Sequence, residues 1–240
     1  MNKPTCKSCR STDLRPFFEV SGIPVHSCVL QDSAEAALAY PRGELKLEFC
    51  RRCGFVQNGC FDPSVHEYSP RYEETQGYSP RFREWLEGLA RRMVEDHGVR
   101  GRRVLEIGCG KGDFLALLCR IGGNLGIGVD PAYDPARRPP EADDRVTYLP
   151  EFYGERHVGL EADFVCCRHT LEHIDRTADF LGLVRRSIGD REATLFLEVP
   201  DVDRVLDDLA FWDVYYEHCS YFNSTSLTRL LQATGFEVLE

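Results

Sequence analysis

Tyr215, Glu217 and His218 lie side by side in the segment Tyr-Tyr-Glu-His-Cys-Ser-Tyr-Phe (215–222). These side-chain types together suit proton transfer. An imidazole titrates near neutrality, a carboxylate can orient it, and a tyrosine hydroxyl can donate to a developing oxyanion. A second reactive segment, Cys-Cys-Arg-His-Thr-Leu-Glu-His-Ile (166–174), adds His169 and His173. A third set is of a different kind. Cys6-x-x-Cys9 and Cys50-x-x-Cys53 form two matched pairs in polar surroundings. Two intervening residues let both thiolates of a pair reach one tetrahedral ion, and four thiolates close its coordination shell. The expectation is a structural Zn2+ at Cys6, Cys9, Cys50 and Cys53, with no open position for chemistry. Neither pair opens a helix as a redox pair would.

These groups need a scaffold, and residues 104–112, Val-Leu-Glu-Ile-Gly-Cys-Gly-Lys-Gly, indicate which. An apolar run ends in glycines at 108, 110 and 112. A helical pattern of Phe114, Leu115, Leu117 and Leu118 follows. That is a strand, a tight turn and a helix, the opening of a nucleotide-type α/β unit. Glycine suits the turn because the chain must bend sharply and let a ligand approach its backbone. A dinucleotide fingerprint needs a further glycine where this chain has Asp113. A second strand, 125–129, ends in Asp130, about 20 residues past the turn, where a carboxylate grips ribose hydroxyls.

Strands are expected at 103–107, 125–129, 145–149, 162–167, 193–199 and 236–239, and helices near 112–121, 175–187 and 224–234. Alternation of this kind implies a doubly wound parallel sheet. Upstream, Ser79 as N-cap and Pro80 as first residue start a helix. Its Phe82, Trp85, Leu86, Leu89, Met93 and Val94 recur at helical spacing as far as Gly98. The stretch 61–79, with Tyr68, Tyr72 and Tyr78, reads as a linker or an ordered lid. On this layout 166–174 closes the fourth strand, and 212–222 is a loop or short helix after the fifth. Both then lie at the ligand end of the sheet.

Glu106, Gly108, Gly110 and Gly112 resemble motif I of the class I S-adenosylmethionine-dependent methyltransferases. The resemblance narrows when the zinc pairs, Arg-Phe-Arg-Glu-Trp-Leu (81–86), Glu-Ile-Gly-Cys-Gly, His-Thr-Leu-Glu-His-Ile and Tyr-Glu-His-Cys-Ser-Tyr-Phe are taken in order. Together they are similar to the zinc-containing C-methyltransferases of nucleotide-linked deoxysugars, over almost the whole chain. That resemblance implies S-adenosylmethionine as cofactor, held by Glu106, Gly108, Cys109, Gly110, Gly112, Asp130 and His169. It implies that a nucleotide-linked 4-keto sugar loses its C3 proton to His218, and that the enolate is methylated in line. Tyr215 and Glu217 would support the base, His173 would stand near the sugar, and Tyr72 or Tyr78 would approach from the bridge. Such enzymes carry a further C-terminal domain, so the resemblance also implies a C-terminally incomplete chain.

Composition bounds these readings. The chain has 240 residues, 42% hydrophobic and 28% charged, with a net charge of −10. That describes a soluble globular protein with room for one full domain and a small one. Residues 1–60 are mildly basic and the remainder strongly acidic. The acidic balance argues against nucleic acid as a partner. No apolar run reaches the ~18 residues of a membrane helix, and cytoplasm is the expected compartment. The remaining cysteines, Cys28 and Cys60 among them, read as buried or structural thiols. The expected division is a four-cysteine zinc-ribbon-like domain over 1–60, a tyrosine-rich bridge and helix over 61–98, and a Rossmann-like S-adenosylmethionine-binding domain over 99–240. The competing readings are an O- or N-methyltransferase of another small molecule, and a truncated domain that binds cofactor without turnover.

Overall fold

The computed structural model describes residues 4–65, 71–73, 75–139, 142 and 144–240. The elements run β1 (Leu14–Pro24), α1 (Ala34–Leu38), β2 (Arg42–Cys50), β3 (Val56–Asn58), α2 (Pro80–Glu95), β4 (Arg103–Ile107), α3 (Asp113–Gly122), β5 (Leu125–Val129), β6 (Val146–Leu149), β7 (Phe164–Arg168), α4 (Thr177–Ile188), β8 (Thr194–Glu198), α5 (Val202–Asp207), β9 (Ser220–Tyr221) and α6 (Ser224–Ala233). They fall into two compact units that interleave along the chain. One comprises Tyr68–Arg168 and Ser187–Glu198, the other Met1–Glu67, His169–Arg186 and Val199–Glu240.

In the first unit five strands form a parallel sheet in the order β6-β5-β4-β7-β8. The strand order reverses beside β4, which puts the topological switch point between β4 and β7. Both are almost wholly buried, as strands covered on two faces must be. Helix α2 starts as its sequence directs. The Ser79 hydroxyl accepts from the Phe82 amide at 3.3 Å, and Pro80 occupies the first turn. Its Leu86, Ala90, Met93 and Val94 recur on one face and join Phe114, Leu115, Leu118 and Cys119 of α3 in the core, with Val104, Val146, Phe164 and Cys166 from the strands. Gly126 belongs in this core for steric reasons, since a Cβ there would meet the Cys119 sulfur at 2.7 Å.

The other unit is built on an antiparallel sheet, β1-β2-β3-β9. Its short last strand comes from far along the chain, pairing Val56 with Tyr221 and Gln57 with Ser220. Leu45, Leu47, Val56, Val202 and Tyr221 form its core, and Phe55 packs on Phe222 with ring centroids 5.2 Å apart. The segment 212–222, expected as loop or short helix, thus ends in a strand.

Helices α2, α3, α4 and α6 and strands β4 to β8 lie within a residue or two of their expected positions. The strand expected at 236–239 does not form. After Gly235 turns the chain at φ +86°, the Phe236 amide closes α6 by donating to the Leu231 carbonyl, and residues 236–240 pair with no strand among the described residues. No described helix is long and apolar enough to cross a membrane.

Candidate active site

The glycine turn lies at the carboxyl end of β4. Gly108, Gly110 and Gly112 have φ of +73°, +54° and +88°, a region that L side chains adopt at a cost. A Cβ at Gly112 would also collide with the Tyr148 ring, whose hydroxyl donates to the Gly112 carbonyl at 3.1 Å. Helix α3 follows without a side-chain cap, and the Leu115 amide in its first turn donates to the Glu106 carboxylate. Cys109 is buried, its sulfur tight against Gly128 of β5.

Asp130, at the end of β5, accepts from the Gly110 amide at 2.8 Å and the Ala132 amide at 2.7 Å. It therefore ties the two strand-end turns together. A carboxylate has about four acceptor sites, so capacity for ribose hydroxyls remains. Burial pushes its pKa up, against those two amides.

Glu106 is fully buried in β4, and its Oε2 has no hydrogen-bond partner among the described residues. Burial raises its pKa from the ordinary 4.5 to about 8, against the opposing pull of Arg168. Through that window the folded chain keeps a proton that the unfolded chain has released, so stability contributed by this group falls as pH rises. A Glu106→Gln protein should lose that slope. Urea midpoints of the two ligand-free proteins across the window check it; parallel curves would contradict the shift.

The bridge packs on the glycine turn within the same unit. The buried Lys111 ammonium donates to the carbonyls of Tyr72 (3.1 Å) and Ala132 (3.2 Å). The Thr75 hydroxyl donates to Asp113, and Glu73 pairs with Arg137 in a two-pronged contact at 2.8 and 2.9 Å. Tyr72 is buried, whereas Tyr78 is exposed with its hydroxyl 3.3 Å from Arg137 Nη2. Tyr68 lies outside the described residues.

The second unit holds the histidine cluster. His218 is buried, and its Nδ1 lies 2.8 Å from the Asp213 carbonyl oxygen. A carbonyl only accepts, so Nδ1 carries the hydrogen and the Nε2 lone pair is left for a proton. Burial lowers the pKa of the ring, opposed chiefly by the Glu172 charge. The Tyr215 ring stands 3.9 Å from the His218 ring and the His173 ring 4.9 Å away, edge-on. Burial raises the Tyr215 pKa, keeping its hydroxyl protonated. Glu217 acts by its charge on both Tyr215 and His218, and its buried Oε1 has no hydrogen-bond partner among the described residues. Its Oε2 accepts from the Ser27 amide at 2.7 Å and from the Ser27 hydroxyl, so it anchors the loop carrying His218 to the segment before α1. His169 belongs to this unit, half exposed at φ +48°, its Nδ1 3.7 Å from Glu172 Oε1.

Glu172 escaped the sequence reading. It is 2% exposed, and its Oε2 has no hydrogen-bond partner among the described residues. Its signal was available in Leu-Glu-His (171–173): a carboxylate between two histidines, at a strand end. The short Leu171–His173 helical turn swings it inward.

In the same unit the four pair cysteines converge. The sulfurs of Cys6 and Cys53 lie 3.6 Å apart, as do those of Cys9 and Cys50. A tetrahedral ion with ~2.3 Å bonds to sulfur needs thiolates about 3.8 Å apart, so the set fits Zn2+. The two knuckles are built alike. Arg10 donates its amide to the Cys6 carbonyl and Gly54 to that of Cys50, and both residues sit at positive φ, +61° and +82°.

Residues 78–240 match a family described as a methyltransferase domain. The chain belongs to this methyltransferase family. C-methyltransferase NovU of Streptomyces niveus is 28% identical over 248 residues, covering 98% of this chain and 56% of its own length. The chain thus spans about half of that relative. A SAM-dependent methyltransferase of Archaeoglobus fulgidus shares the fold at TM-score 0.51 and 25% identity, over 65% of this chain and 69% of that one. CalO1, a methyltransferase of calicheamicin biosynthesis solved in its SAH-bound form, does so at 0.50 and 19%, over 67% and 50%. The parallel sheet of this methyltransferase domain is Rossmann-like, as its glycine turn implied.

Proposed function

We propose that this methyltransferase domain uses S-adenosylmethionine to methylate carbon in a nucleotide-linked keto-deoxysugar, by way of an enolate. The observation that carries the reading is His218: a buried ring with its hydrogen held at Nδ1, its Nε2 lone pair available, and a tyrosine and a second histidine against it. The relative named as a C-methyltransferase supports carbon as the acceptor. Glu106, Gly108, Cys109, Gly110, Gly112 and Asp130 would hold S-adenosylmethionine. The turn needs glycine for close backbone approach, and the buried Glu106 Oε2 has no hydrogen-bond partner among the described residues. When bound, that cofactor supplies an electrophilic methyl group.

His218 takes the proton from the carbon beside the substrate keto group, and the C–H electron pair becomes the enolate. The enolate carbon is thereby the nucleophile for the methyl group that S-adenosylmethionine, held by Glu106, the three glycines and Asp130, would supply. Glu172 stabilises the imidazolium so formed, as a nearby negative charge must. The Tyr215 hydroxyl donates to the enolate oxygen, and His173 borders the sugar. Glu217 acts through Ser27 by fixing the loop that carries His218. Zn2+ on Cys6, Cys9, Cys50 and Cys53 would have a structural part, since four thiolates leave no site for substrate.

The test is proton exchange. Keto-sugar nucleotides incubated with the protein in D2O should gain deuterium beside the keto group, and with S-adenosylmethionine present should gain a methyl group on that carbon. Methyl transfer to an oxygen or nitrogen acceptor, with no exchange in any keto sugar, would reject the reading.

A further inference from the structure

We propose that Glu172, His173 and His218 form a second divalent-cation site, one that takes a borderline ion such as Zn2+, Co2+ or Ni2+. The site shares its residues with the methyl-transfer reading, but the inference does not rest on that reading. Among the described residues only two groups bring three or more potential ligand atoms within 4.8 Å of one another: the four cysteines, and this trio. The chemistry of the donors differs. Two imidazoles and one carboxylate suit a borderline ion, with thiolate absent and positions left open for water or a small oxygen ligand.

A second observation points the same way. Glu172 is buried, and its Oε2 has no hydrogen-bond partner among the described residues. A buried carboxylate oxygen in that state is costly and is relieved by a cation. Oε1 stands 3.7 Å from His169 Nδ1, beyond hydrogen-bond reach. His218 is also oriented as metal-bound histidines are. Its Nδ1 hydrogen is tied to the Asp213 carbonyl, which aims the lone pair of the other nitrogen. His173 is only half-buried, which gives an ion a way in.

The site has a consequence for proton transfer. A cation on His218 Nε2 occupies the lone pair that would take a proton, so loading the site blocks base chemistry there. Occupancy would rise with pH, because protons and metal compete for imidazole.

Protein with its four-cysteine site already filled is titrated with Co2+ at neutral pH, without substrate or cofactor. The expected result is one further equivalent per chain, with weak visible bands and none of the intense charge-transfer absorption of thiolate–cobalt bonds. Glu172→Gln and His173→Asn should each weaken that binding at least about tenfold, since even partners that only orient a ligand cost 10–100-fold. Zinc retention in the four-cysteine site reports that the variants are folded. In the wild type, imidazole resonances of His173 and His218 should shift on Co2+ addition, a readout that needs no variant. No equivalent beyond the thiolate site, or an extra one with those resonances unmoved, overturns the proposal. Because no methyl acceptor is present, failure of the methyl-transfer reading cannot be mistaken for failure here.

Discussion

A His218→Gln protein is expected to lose about 10²–10⁴-fold in methyl-transfer rate while binding S-adenosylhomocysteine as tightly as before. Glutamine can still donate to the Asp213 carbonyl that holds the ring, but it has no basic nitrogen to take a proton. Cofactor affinity should be spared because Glu106, the three glycines and Asp130 belong to the other compact unit. Single-turnover rates with the best acceptor and calorimetric titration with S-adenosylhomocysteine separate the two effects. Deuterium exchange into the substrate should fall in parallel with methylation, because both need the same proton removed. Unchanged turnover would remove His218 from the role of base. Tyr215→Phe should do less harm, since it deletes one donor to the enolate and leaves the base.

The second large effect concerns the thiolates. Cys53→Ser should release the Zn2+ assigned to the cluster and cost the antiparallel sheet much of its order. Structural zinc contributes about 10–16 kcal/mol of apparent binding energy in small zinc modules. Here the hydrophobic core of Leu45, Leu47, Val56, Val202 and Tyr221 shares the task, so the loss should be a large drop in melting temperature rather than complete unfolding. The damage should also reach His218. Cys53 leads directly into β3, Val56 and Gln57 pair with Tyr221 and Ser220, and the Asn58 amide donates to the Cys219 carbonyl at 3.0 Å. His218 is the next residue back. Hydrogen exchange should therefore quicken at 215–221 as well as at 42–58, together with loss of one zinc per chain. Exchange at 215–221 that stays at the wild-type rate after zinc release would show that the cluster does not hold His218 in place.

Where local chemistry dictates local structure, the sequence was sufficient. The β-branched run into Gly108, Gly110 and Gly112 could form only a strand and a tight turn. Ser79-Pro80 could hardly avoid starting a helix. Cys-x-x-Cys twice over, in a polar setting, specified a four-thiolate cluster before any fold was known. The run 236–239 misled because β-branched and apolar residues make a strand only where a partner strand exists, and the Phe236 amide closes α6 instead.

What the tertiary structure alone decided is where long-range neighbours fall. The pairing of β3 with β9 joins residues more than 160 positions apart, and no periodicity records it. Glu217 and Glu172 show the reason most clearly. Both are carboxylates beside a histidine, and sequence spacing cannot say which way each points. The fold turns Glu217 to Ser27, and turns Glu172 inward to His173 and His218. A side chain's role depends on direction in space, which is set by packing against segments distant in the chain. The residue types that could do chemistry were therefore legible from the sequence, and the direction each carboxylate takes was not.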